Sequence, residues 1–414
     1  MKRVAVVDGF SSGKFIAKGL HDKGCELIHI SSSDELDAYY YKGFDFSIYS
    51  KTIVHNELNE TLNFIKQFKA AFVIAGSESG VTLTDIINRE LLLPYRNTAE
   101  KASSRRNKFD MIESLRAAGL NAADQIQISS VDDASEWMKK QQYPVVLKPL
   151  ESAGSDGVFI CHDINAVKNA FKQVYNTKNK LNLNNDKVLL QAFLQGTEYV
   201  VNFVSLDGFF IPTEVVKYHK RKLDTGNVVY DIDEIIDAGS SEFNVLIEYT
   251  AKVCDCLGIK NGPSHAEVML TDNGPYLVEI AARSDGILRP DVASATTGFG
   301  QLAATVLSIT EPDKFMSLAQ LSHYRLNNHS FNVCLISPRS GVFTGGAFEQ
   351  LVHELPSFKR LEFYLASGAS VSKTRDVFSQ PGTVYLVSAD KEQLWQDYKI
   401  VRDAEFSGIY LDDI

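Results

Sequence analysis

From residue 4 to residue 91, short apolar runs alternate with stretches of helical spacing. No other feature of the chain limits its fold as strongly. Val4 to Val7 reads as a strand, KFIAKGLHDKG (14–24) as a helix stopped by Gly24, and CELIHISS (25–32) as a second strand. A helix over 57–68 precedes the strand AFVIAG (71–76), and another over 81–91 follows it. Strands that return through helices imply a parallel, doubly wound sheet, and so an α/β fold. The apolar run behind Met1-Lys2-Arg3 is only four residues long before Asp8, so it reads as a buried first strand rather than a signal peptide.

Farther on the pattern changes. A helix is expected over 103–120, capped by Ser103 or Ser104 and stopped by Gly119. A strand (126–130), a helix (131–141) and the strand YPVVLKPL (143–150) follow. The Lys- and Asn-rich stretch 172–187 reads as a helix end and a solvated loop before the strand VLLQAFL (188–194). Two hairpins are then expected, one turning at Asp207-Gly208 and one, over 265–283, at Asp272 to Gly274. With 44% hydrophobic residues in 414, the chain can fill about two to four domain cores. No apolar run reaches the roughly 18 residues of a membrane span. A net charge of −10 disfavours a general nucleic-acid role. Five scattered cysteines (Cys25, Cys161, Cys254, Cys256, Cys334) suit reduced thiols in a cytoplasmic protein. Cys254 and Cys256 read as packing residues of one helix.

Chemistry concentrates in two places. In PVVLKPLESAGSDGV (144–158) a strand delivers Lys148 and is followed by Ser152, Ala153, Gly154, Ser155, Asp156 and Gly157. Such a loop lets backbone N–H groups approach phosphate, and a lysine adds a point charge; an ordinary loop beside a surface lysine is the alternative. Glu267 and Glu279 stand on the two strands of the later hairpin. If both face one way, two close carboxylates need a cation such as magnesium between them; otherwise one of them faces solvent. DGFSSGK (8–14) is not a Walker loop, because three residues rather than four separate Gly9 from Gly13 and Phe15 follows Lys14.

Lys108, Lys148, the 152–157 loop, LLQAFLQGTEY (189–199), HAEVML (265–270) and YLVEIAAR (276–283) occur in that order. Together they resemble the ATP-grasp superfamily over most of the chain. The resemblance implies a Rossmann-like domain over 1–100, a central nucleotide-binding lobe over 101–188 and a C-terminal lobe over 189–414 with a small subdomain from about 320. It implies that Lys108 and Lys148 hold the α- and β-phosphates of ATP and that the 152–157 loop closes over them. The adenine edge would meet the stretch Gln191, Ala192, Phe193 and Leu194 through the backbone of Ala192 and Leu194, and Glu198 would take the ribose hydroxyls. Glu267 and Glu279 would bind Mg2+ (or Mn2+), and Arg283 and Lys148 would be catalytic. Where relatives show Glu-x-Asn-x-Arg, this chain has Ala281, which cannot ligate a metal.

AGSESGV (75–81) and GPSHAEVML (262–270) are most similar to L-amino-acid ligases that make dipeptides. That branch implies amino-acid substrates, an aminoacyl-phosphate intermediate and compatibility with a homodimer. Glu78, His265, Arg289 and Asp376, with Asp231 and Asp233 as further acids, are the candidates to touch substrate. A basic acyl donor such as arginine is the expectation. Two rivals are an ATP-grasp ligase for a non-amino-acid carboxylate or bicarbonate, and a nucleotide-binding regulator without turnover.

Overall fold

The computed structural model describes the chain apart from residues 35–40, 42, 153, 155, 225–226, 321–323 and 413–414. The alternating start forms a parallel sheet ordered Lys51–Val54, Glu26–Ser31, Arg3–Val7, Phe72–Ala75. Helices Gly13–Asp22, Leu58–Phe68 and Val81–Glu90 belong to the same region. Val4 and Val6 feed one core while Ala5 and Val7 feed another. Burial on both faces is why the first strand is a continuous apolar run. The sheet's edge strand, Lys51–Val54, is mostly exposed and carries no such run, so periodicity does not reveal it.

The helix expected over 103–120 is shorter, Lys108–Ala117. Its cap is Asn107, which accepts from Phe109 N at 2.9 Å and Asp110 N at 3.2 Å. Arg105 explains the shift. Its buried guanidinium pairs with Asp85 at 2.8 Å and donates to the carbonyls of Thr98 and Leu257, holding Ser103–Arg105 in a separate 3₁₀ turn. Likewise the 131–141 helix shrinks to a turn, Asp132–Ala134, and one short helix, Ser135–Met138.

Three antiparallel sheets follow among the described residues, a three-stranded one in the tail (Ser370–Val371, Gly341–Phe343, Leu411–Asp412) and two larger ones. The smaller of these two is ordered Gln125–Ile128, Val188–Ala192, Val145–Pro149, Phe159–Cys161. The larger has eight strands: Gly274–Ala281, Gly262–Thr271, Thr197–Leu206, Phe209–Lys222, Val228–Ile235, His329–Cys334, Gly382–Ser388 and Phe358–Phe363. Its first hairpin turns at Asp207 (φ 50°) and Gly208 (φ 82°), the paired positive angles that a two-residue loop needs. The helix Phe243–Cys256 packs its buried face, Cys254 included, with Met111, Ile112 and Leu115 of the Lys108 helix. The tail beyond 320 adds the last three strands to this sheet and packs the helix Lys391–Phe406 on a core of its own. The fold is therefore α/β, a parallel-sheet region joined to antiparallel sheets. Among the described residues no single helix is long and apolar enough to cross a membrane.

Candidate active site

Residues of the four- and eight-stranded antiparallel sheets line one cavity of about 430 Å³, within the range of small-molecule sites. Lys148, near the end of Val145–Pro149, is buried in its wall. Burial, reinforced by Lys108, lowers its ammonium to about 8, while Glu279, Glu267 and Glu198 oppose the shift. Lys108 opens its helix with Nζ 2.9 Å from Glu279 Oε2 and donates to the Ser152 carbonyl at 3.3 Å. Ser152 and Gly154 also line the cavity. Gly157 has φ 70°, and a Cβ there would lie 2.9 Å from Pro149 Cγ, so a side chain is excluded on two counts. Ala153 and Ser155 lie outside the described residues.

The carboxylate pair depends on one irregularity. From the turn outward Thr271 opposes Gly274 and Val268 opposes Leu277. Continued regularly, that register would set Glu267 against Val278 and turn Glu279 to the other face. A bulge between Glu267 and Val268 skips Val278 instead, and Glu279 falls opposite Glu267. Both carboxylates then line the cavity. Burial opposes ionisation of Glu279, but Lys108 foremost, then Lys148 and Arg283, hold it at about 2. Among the described residues no group of three or more His, Cys, Asp or Glu is arranged to hold a metal. Two hard oxygen donors facing a nucleotide-sized space do fit magnesium whose remaining ligands are phosphate oxygens and water. Ala281 stands opposite His265 and contributes no donor.

The other charges arrive already partnered. Glu198 is paired with Lys220, whose Nζ also lies 5.4 Å from the Tyr230 ring. Arg283 donates to Glu78 at 2.7 Å, and Arg106 pairs with the same carboxylate, so Glu78 already serves two guanidiniums. His265 has Nδ1 3.1 Å from Asn202 Oδ1 and 3.4 Å from Asp285, and Nε2 3.6 Å from Glu267. Burial disfavours its charge, yet Asp285 and Glu267 raise it to about 9. Gln191, Ala192, Phe193 and Leu194 all line the cavity, and Gln191 donates to Gln125 at 3.1 Å.

Four substrate candidates do not line the cavity: Glu78, which holds Arg283 and Arg106, and three that are engaged elsewhere. Arg289 is fixed to both oxygens of Glu362 at 2.7 and 2.6 Å. Asp376 is exposed and caps its own turn by accepting from Ser379 N at 2.9 Å. Asp231 is held by Arg402, Arg221 and Tyr398. None of the three lines the cavity, whereas Asp233 does. Reading the sequence also missed Lys220, Asn202, Arg106 and Asp285. Asp285, two residues past Arg283 in ARSDG, had a signal in its position. Lys220 sits in the basic run KYHKRK (217–222), which does not say which residue points inward.

A model of the ATP-grasp domain matches residues 141–291. The chain is 31% identical over 412 residues to dapdiamide A synthase of Enterobacter agglomerans, covering 99% of this chain and 97% of that one. It is 25% identical over 184 residues to the L-arginine-specific L-amino acid ligase of Bacillus subtilis, 44% of this chain and 43% of the relative. Its fold resembles that of an L-amino acid ligase from Bacillus licheniformis, with a TM-score of 0.77 at 17% identity over 97% of each chain.

Proposed function

The chain belongs to the ATP-grasp carboxylate–amine ligases, and from that premise we propose that it is an L-amino-acid ligase making a dipeptide. The observation that carries this reading is the convergence of Lys108, Lys148, Glu267, Glu279 and Arg283 on one cavity. A carboxylate oxygen of the first amino acid attacks the γ-phosphorus of ATP, and ADP leaves. The resulting aminoacyl phosphate is an electrophile that the free carboxylate is not. The amine of the second amino acid then attacks the acyl carbon, phosphate departs with the C–O electron pair, and the nitrogen gives up a proton.

Lys108 and Lys148 neutralise the α- and β-phosphates, and the 152–157 loop covers them and excludes water. Backbone groups of Ala192 and Leu194 meet the adenine edge, and Glu198 meets the ribose. Glu267 and Glu279 would hold Mg2+ or Mn2+, which when bound supplies positive charge to the phosphate oxygens. Arg283 counters charge on the transferring phosphoryl group. Glu78 holds that guanidinium at the cavity wall.

A basic amino acid such as arginine is the proposed acyl donor. Support comes from the chain's negative charge and from the arginine-specific relative. Amino-acid pairs incubated with magnesium ATP test the reading through phosphate release and product mass. Phosphate release that needs both amino acids, with a dipeptide mass, is expected. Protection by ATP against unfolding, without release of ADP for any pair, would mark a nucleotide-binding regulator instead.

A further inference from the structure

Four adjacent strands of the large sheet each place one residue in a single cross-strand row. Tyr218 opposes Asp233, Asp233 opposes Asn332, and Asn332 opposes Tyr385. All four line the cavity. Asp233 is 4% exposed and Asn332 6%, and among the described residues neither Oδ1 has a hydrogen-bond partner. Two unmatched buried acceptors side by side are costly unless a donor reaches them. Tyr230 and Tyr218, with ring centroids 4.6 Å apart, add aromatic surface to the same cavity.

Glu214 shows that burial alone is not the signal. Its Oε2 is also buried without a partner, but it lies outside the cavity lining. Among the described residues, Asp233 is the carboxylate that combines an unmatched buried oxygen with a place on the cavity wall. What it lacks is a donor, and a ligand in the cavity can bring one. A carboxylate and a carboxamide oxygen beside tyrosine rings suit a cationic nitrogen bearing several N–H groups.

We propose that Asp233 and Asn332 form the subsite for the side chain of the acyl donor, and that they select an ammonium or guanidinium group there. The proposal rests on the ligase reading above and names the residues that set its substrate class. Desolvation, with Asp285 and Glu198 adding to it, pushes the Asp233 carboxyl well above the usual range. A cation bound against it restores the charged form.

The test compares arginine and lysine with leucine and glutamine as donors, in the wild type, Asp233→Asn and Asn332→Ala. The ratio of kcat/KM for basic over neutral donors is expected to fall about 100-fold in Asp233→Asn and about 10-fold in Asn332→Ala, the cost of unmatched N–H groups. The melting temperature of Asp233→Asn without ligand should rise, since an unpaired buried acid is gone, so loss of preference cannot be blamed on misfolding. An unchanged ratio, or an equal loss for both donor classes, overturns the subsite while leaving the ligase intact. A preference for glutamine over arginine in the wild type overturns the cationic assignment. Absence of amino-acid-dependent phosphate release from the wild type overturns the ligase reading and the subsite together.

Discussion

Two sets of residues at the cavity handle charge in opposite ways. In the set proposed to hold the nucleotide, Lys108 sits on Glu279, Lys220 on Glu198, and both Arg106 and Arg283 on Glu78. In the other, Asp233 and Asn332 each present an Oδ1 with no partner among the described residues. Ion pairs made before a ligand arrives keep side chains in fixed positions, which suits charge that develops late in a reaction. An unmatched acceptor does the reverse. It leaves the interaction to be completed by the ligand, and so ties affinity to the ligand's chemistry. On this view one set is built for rate and the other for selection.

Arg283→Ala would break that division most severely. Its partner Glu78 keeps Arg106, so the variant should fold. With the phosphoryl charge uncompensated, kcat should drop about 1,000-fold while the KM for ATP moves far less. Steady-state ADP release checks it, and a wild-type kcat would reduce Arg283 to a structural brace. Glu198→Gln probes the same set with a smaller effect. Loss of the charged acceptor should raise the KM for ATP about 10-fold, the value of one charge-assisted hydrogen bond, with kcat nearly constant. A kcat that falls instead would tie Glu198 to the phosphoryl step rather than the ribose.

The residues proposed to hold the nucleotide are legible in the sequence because they sit in short contiguous segments. Lys148 and its loop share one strand end, and each carboxylate proposed for the metal sits in a recognisable hairpin strand. Even there the register was not readable, since nothing in PYLVEIA marks Val278 as the residue the bulge skips. The residues proposed to select the donor are far less accessible. Tyr218, Asp233, Asn332 and Tyr385 come from four strands, and each looks alone like an ordinary strand residue. Asp231 and Asp233 show how fine the distinction is. Two positions apart, one is locked by Arg402 and Arg221 and the other is left open to the cavity. The parallel sheet was plain from the apolar runs, except for its exposed edge strand. The helix from 103 was overdrawn because Arg105 takes carbonyls far away in sequence.

Glu214 supplies the control for the comparison, and the smallest effect. Its Oε1 accepts from Gln301 N at 3.0 Å while Oε2 has no partner among the described residues. Burial, with Asp285 adding to it, raises its carboxyl from 4.5 to about 7 against the hydrogen bonds that lower it. Because the folded state holds this proton more tightly, its contribution to stability is present below about pH 4.5 and is lost as pH rises through about 7. Glu214→Gln keeps an oxygen for Gln301 and removes the charge. Its melting temperature should match the wild type near pH 4 and exceed it by about 2 °C near pH 8. Paired thermal melts at the two pH values, together with the donor ratio, measure both halves of the claim. Stabilisation without a change in donor ratio is what an unmatched acid outside the cavity should give. A donor ratio that moved as far as it does in Asp233→Asn would mean that burial, rather than a place on the cavity wall, decides selection.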